Sequence, residues 1–161
     1  MVKVFDIENL ANCFTLTAVP AVEGDDTVEK FVIHELWDDR VELFKWLKTP
    51  GLKLVGFNNL KFDYPVLHRI LMSEQQLMWM NPDAAARTIY RMAQDVLYQE
   101  RPEVKWREVR IPQCDIYRIH HFDNKAKHAS LKWIQIGMKW KTFRTCQFII
   151  GAKYRLLMKL K

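Results

Sequence analysis

The stretch VKVFDIENL, residues 2–10, is an apolar run that ends on two acids, Asp6 and Glu8. Its first seven residues read as a strand, and side chains alternate faces along a strand. Asp6 and Glu8 therefore share one face while Ile7 takes the other. Two like charges side by side at the edge of a core repel each other and lose hydration, so each needs a partner or a raised pKa. A divalent cation suits two adjacent carboxylates. The other reading is a strand end that has simply reached solvent.

Working outward, CFTLTAV (13–19) and EKFVIHEL (29–36) read as the second and third strands, with the turn between them over Pro20 to Asp26. Asp38 or Asp39 is placed to cap a helix through VELFKWLKT (41–49), which Pro50-Gly51 stops. LKLVGFNN (52–59) is a short apolar strand ending in polar residues. FDYPVLHRILMSEQQL (62–77) is a helix with Pro65 in its first turn. Residues 83–99 form another helix, RIPQCDIYRI (110–119) a further strand, and SLKWIQIGMK (130–139) a helix capped by Ser130. Three leading strands and then alternating helix and strand predict an α/β fold with a mixed sheet flanked by helices.

The 161 residues suffice for one domain with a real core, and 49% hydrophobic against 27% charged residues excludes a disordered chain. No apolar run approaches membrane-spanning length, and Asp6 and Glu8 interrupt the only stretch resembling a leader. The expectation is a chain with no membrane association. Cys13, Cys114 and Cys146 are odd in number and lack C-x-x-C spacing, which argues against a disulfide framework and fits reduced thiols in a cytoplasm. His120, His121 and His128 lack the helical spacing of zinc ligands. The net charge of +6 hides an asymmetry, because residues 124–161 hold 10 Lys/Arg and no acid. Such a segment suits a polyanion such as nucleic acid; it also reads as a solvated basic tail.

The second cluster lies in VGFNNLKFDYPVL (55–67), where an apolar strand runs into Asn58-Asn59 and Asp63 opens the next helix. An acid at a helix N-terminus is favoured by the dipole alone. Ligands in open α/β sheets nevertheless collect outside strand ends, where this Asp falls. A first strand ending in D-x-E and a later strand leading to N-x-x-x-D can bring three carboxylates together, as Mg²⁺ or Mn²⁺ requires.

In this order, Asp6-Ile7-Glu8, Asn59-Leu60-Lys61-Phe62-Asp63 and the later Ser130-Leu131-Lys132 resemble the motifs of the DEDD (DnaQ-like) 3′–5′ exonucleases, nearest to phage-type, polymerase-associated members. The resemblance covers roughly residues 2–140 and implies a ribonuclease H-like fold. It also implies a mechanism: two divalent ions, held by four carboxylates, activate a water and stabilise the leaving 3′ oxygen at a terminal phosphodiester. By position, Asp6 would bridge both ions, with Glu8 and Asp63 as further ligands. Asn59 would touch substrate or orient Asp63. Leu10 and Phe62 would wedge against the terminal bases or belong to the core. The implied substrate is a single-stranded DNA or RNA 3′ end, the implied partner a DNA polymerase, and the implied setting the cytoplasm, phage-encoded or bacterial.

The chain departs from that pattern at its end. The family places a fourth acid in a Y-x-x-x-D or H-x-x-x-x-D motif after the last strand, yet no Asp or Glu comes after Asp123. Tyr154 has Met158 as its fourth neighbour, and Asp115 and Asp123 come too early. The fold is therefore expected to be incomplete at its C-terminal part, with residues 1–140 as the exonuclease-like domain and 141–161 as a basic segment. With three carboxylates in place of four, the expectation is one bound ion and weakened catalysis. The alternative is a nucleic-acid or polymerase-binding module that no longer cleaves. The genetic code permits a specific cause. KTFRTCQFIIG (141–151) can be encoded so that the frame beginning at the third base of the Lys141 codon reads NVQDMPIHHW, similar to the residues after the S-L-K helix in phage-type relatives. A frameshift near Lys141 would remove the helix that carries the fourth acid.

Overall fold

The computed structural model describes residues 1–22, 24–122 and 130–137. The chain divides into two units, Met1–Asp123 and Asn124–Lys161, each taken here by itself. In the first unit, β1 (Val2–Leu10) pairs antiparallel with β2 (Cys13–Pro20) through a tight turn at Ala11-Asn12. β2 pairs antiparallel with β3 (Glu29–His34), as the alternating pattern predicts. The reading of a third strand to residue 36 is corrected: the chain turns at Glu35-Leu36 and returns as the two-residue β4 (Trp37–Asp38).

On the other side of β1 the sheet turns parallel. β5 (Lys53–Gly56) pairs with β1 in the register Val2↔Lys53 and Val4↔Val55, and β6 (Gln113–Asp115) pairs with β5. The order is β4-β3-β2-β1-β5-β6, a six-stranded mixed sheet. With helices α1 (Arg40–Leu47), α2 (Asp63–Met72), α3 (Glu74–Trp79) and α4 (Pro82–Leu97), this is the expected α/β fold, consistent with a ribonuclease H-like arrangement.

The core lies between the sheet and these helices. Phe5 and Ile7 of β1, Phe14 and Leu16 of β2 and Leu54 of β5 meet Leu43, Tyr64, Leu67, Ile70 and Ile89 from the helical layer. Along β1 the odd positions Lys3, Phe5 and Ile7 are buried, while Val2, Val4 and Asp6 are exposed on the other face. Lys3 is buried and pairs with Glu29 at 2.9 Å, which satisfies its charge; Glu29 also accepts the Trp46 indole N–H at 3.0 Å.

Two helix predictions need correction. The 62–77 helix breaks at Ser73 into α2 and α3. Asp39 is the N-cap of α1 but makes no side-chain cap bond; its carboxylate accepts from the Val32 N–H (2.9 Å) and the Trp37 indole (2.8 Å). Asp38 instead accepts from the backbone and guanidinium of Arg40, and the guanidinium reaches on to the carbonyls of Leu77 and Met80. This buried Arg ties α1 to the C-terminal end of α3, where it shares the Leu77 carbonyl with the Met80 N–H and takes the Met80 carbonyl as well. α4 starts as expected, with Pro82 at its first position and the Asn81 side chain accepting from the Ala84 N–H at 2.8 Å.

The strand expected over 110–119 is only three residues long. Asp115 ends it and caps α5 (Ile116–His120) by accepting from the Tyr117 N–H at 3.0 Å. In the second unit, α6 (Leu131–Gly137) begins directly after Ser130, whose carbonyl accepts from the Ile134 N–H. The expected boundary at 140 and 141, the basic segment 141–161 and the missing fourth acid's position lie outside the described residues. Among the described residues no helix is long and apolar enough to cross a membrane.

Candidate metal and nucleic-acid site

β1 is the strand at which the sheet changes from antiparallel to parallel, and its C-terminal half runs on beyond the last residue paired with β5. Asp6 and Glu8 occupy that half on the exposed face, opposite Thr17 and Thr15 of β2. Both acids already hold polar interactions within the protein.

Asp63 arrives by a different route. β5 ends at Gly56, and the chain passes through Phe57 to Phe62 before α2 begins. Asn58 takes a left-handed conformation (φ 59°), which Asn tolerates better than most residues. Asp115, buried at the end of the neighbouring β6, accepts from the backbone N–H of Asn58 at 2.7 Å and of Leu60 at 3.4 Å. Asn59 turns inward against Gly56, where any Cβ would lie 2.7 Å from the Asn59 Cβ, so only glycine fits. The Asn59 carbonyl accepts the Tyr64 N–H at 2.8 Å and so fixes the first turn of α2. Tyr64 in turn accepts from the Arg110 and Ile111 N–H groups through its hydroxyl, clipping the segment before β6 to the same turn.

This construction delivers the Asp63 carboxyl to β1. Its pKa is pushed up to about 7, first by burial and next by the Asp6 charge, with a smaller contribution from Asp115; the backbone N–H groups of Asp63 and Ile7 oppose the rise. A carboxyl that feels the Asp6 charge and the Ile7 amide stands beside the C-terminal half of β1. The Asp6 charge therefore acts on Asp63, and Glu8 lies two residues further along the same strand face. Among the described residues, no group of three His, Cys, Asp or Glu side chains is assembled to hold a metal ion. The pair still fits a cation. A carboxylate whose proton affinity is raised by a neighbouring charge is relieved by a cation placed beside it.

The other candidates sort by burial. Asn59 is 1% exposed and donates to Gln113 Oε1 at 2.9 Å, which leaves it the orienting role rather than contact with substrate. Its own Oδ1 has no hydrogen-bond partner. Phe62 is partly buried and packs against the core, and Leu10, also partly buried, faces Cys13 at the mouth of the hairpin. Sequence reasoning missed the role of Asp115. The signal available was an Asp between an apolar strand and a helical stretch, the position at which Asp caps. Of the histidines, His121 stacks on Tyr117 (centroids 4.0 Å apart) and contacts its carbonyl, while His128 lies outside the described residues. Compared with known proteins, the chain matches no family model, no curated protein and no solved structure.

Proposed function

We propose that this chain is a metal-dependent 3′–5′ exonuclease domain acting on single-stranded nucleic-acid ends, weakened by the absence of a fourth carboxylate. The observation that carries the reading is the convergence of Asp63 on Asp6. Asp63 lies 57 positions from Asp6 in sequence, yet the Asp6 charge helps, after burial, to raise its pKa to about 7. Desolvating a carboxyl beside a second negative charge costs stability unless a cation or ligand uses it. Asp6 and Asp63 would hold a Mg²⁺ or Mn²⁺ ion, with Glu8 turning in from the next position on the same face. The ion would supply charge stabilisation for an attacked phosphodiester and lower the pKa of a bound water. The residues of the chain hold the two carboxylates in place: Asp115 fixes the Asn58 turn, and the Asn59 carbonyl fixes the start of α2.

A second reading rests on the sequence after Asp123, which contains no acid. Without the fourth carboxylate the domain would bind single strands or a polymerase and not cut. The deciding experiment incubates a labelled single-stranded DNA with Mg²⁺ or Mn²⁺ and the chain, Asp6→Ala or Asp63→Ala. Slow metal-dependent shortening from the 3′ end, lost in both variants, supports the enzyme. Retained binding with no shortening supports the module. Cleavage that survives both substitutions would remove the site from consideration.

A further inference from the structure

At the opposite end of the parallel strands, where β5 begins and the chain enters β6, the surface opens into a cleft of about 550 Å³. Its floor is apolar: Leu47 ends α1, Leu52 precedes β5, Leu71 closes α2 and Ile111 precedes β6. Met72 is 59% exposed at its edge, a large flexible side chain of the kind that adapts to a bound partner. The lining carries three cations, Lys48, Lys53 and Arg110, and no acid. Lys48 is paired with Glu74 at 2.6 Å, whereas Lys53 and Arg110 have no ion pair among the described residues. The Met1 nitrogen donates to the Gly51 carbonyl in the same lining.

We propose that this cleft is a docking site for a partner protein's acidic peptide segment, one apolar side chain of which seats on the floor while flanking carboxylates meet Lys53 and Arg110. The charge selects the occupant. This chain's own segment 124–161 has 10 Lys/Arg and no acid, so it offers the rim no opposite charge. Single-stranded nucleic acid is held by aromatic platforms, and no aromatic side chain lines the cleft. The cleft is open to solvent rather than enclosed, which suits a chain running through it better than a small molecule sealed inside. An apolar anchor within a charged rim is the usual division of labour at such interfaces, the anchor supplying affinity and the charges orientation. This site lies at the N-terminal ends of β5 and β6, away from Asp6 and Asp63, and does not depend on the exonuclease reading.

The test is fluorescence anisotropy with the full chain and a short fluorescein-labelled peptide carrying a Leu-Phe pair between aspartate runs. The expected result is saturable binding with a Kd below about 100 µM, weakened at least ~10-fold by the double substitution Lys53→Glu with Arg110→Glu. Replacing Leu-Phe by Ser-Ser, or the aspartates by lysines, should abolish binding. Both substituted residues are exposed, so the fold should survive, as a circular-dichroism melt will show. If the reversal unfolds the chain, Lys53→Ser with Arg110→Ser should still weaken binding by at least about 3-fold. Absence of saturable binding overturns the proposal. So do indifference to the charge substitutions, equal binding of the Ser-Ser peptide, and displacement of the peptide by decanoate or by a single-stranded oligonucleotide at equal concentration.

Discussion

At the scale of single residues the decisive group is Asp63, because its titration reports on the site without any assay of activity. Its pKa lies near 7 in the folded chain against 3.8 when free, so between those values the folded chain retains a proton that the unfolded chain has released. This group's contribution to stability therefore falls as pH rises through that window and is lost above about pH 7. The metal-free protein should be less stable at pH 8 than at pH 5.5 by about 2 kcal/mol in urea unfolding. Asp63→Asn, which cannot ionise, should flatten that difference. Mg²⁺ should raise the melting temperature more at pH 8, where both carboxylates are charged, and should lose this increment in Asp63→Asn. A wild-type chain equally stable at both pH values would show that Asp63 ionises normally and that no cation site is poised there. A second prediction concerns Gly56. A methyl group there would lie 2.7 Å from the Asn59 Cβ, against the turn that feeds Asp63 to β1. Gly56→Ala should cost about 1–3 kcal/mol and should weaken Mg²⁺ binding by calorimetry as the turn shifts.

At the scale of elements, what was legible in the sequence depended on whether the chain's own period or a distant partner set the structure. β1 and β3 alternate buried and outward positions, since one face of each packs on helices, and β1, β2 and β3 lie close to where the sequence pattern puts them. α4 carries its own start signal in Asn81-Pro82. The break at Ser73 was not legible, because Glu74 to Leu77 are good helix formers; it is held from outside, by Arg40 reaching from α1 to the carbonyls of Leu77 and Met80. The short β6 was misread for a similar reason. Asp115 spends its carboxylate on three backbone N–H groups, of Asn58, Leu60 and Tyr117, and two of these are more than fifty residues away. The order of Asp6, Glu8 and Asp63 suggested a shared site and Asn59 as a residue that orients Asp63, but not that the buried Asp115 holds the turn leading to it. Asp115→Ala should leave those amides without an acceptor and cost about 3 kcal/mol. Arg40→Met should keep the packed volume and lose the tie to α3, exposing the α3 amides to faster hydrogen exchange.

At the scale of the whole molecule the two ends of the chain make opposite contributions: acids at β1 and α2, and a run of cations after Asp123. The basic segment should give weak affinity for single-stranded DNA that falls steeply as salt rises, because phosphate contacts release counterions. Titration of a labelled strand at increasing salt checks this; affinity that is absent at low salt or insensitive to salt would leave the segment as a solvated tail. Activity then separates what the acids can do alone from what they lack. On the proposed reading, Asp6, Glu8 and Asp63 would hold one ion without help from residues after Asp123, since β1 and the Asn58 turn that leads into α2 carry them. A second ion and an oriented water require another carboxylate, and the chain supplies none beyond Asp123. Each tenfold loss of rate corresponds to about 1.4 kcal/mol of transition-state stabilisation, and removal of one electrostatic group from a catalytic site commonly costs about 3–4 kcal/mol. The chain should therefore digest single-stranded DNA at least ~100-fold more slowly than a version whose reading frame is shifted at Lys141 so that acids reappear downstream. Asp6→Ala should abolish activity in that longer version. Equal rates for the two versions would mean that the site is already complete. Asp115, whose charge also acts on Asp63, and Asp123 would then be the groups to substitute next.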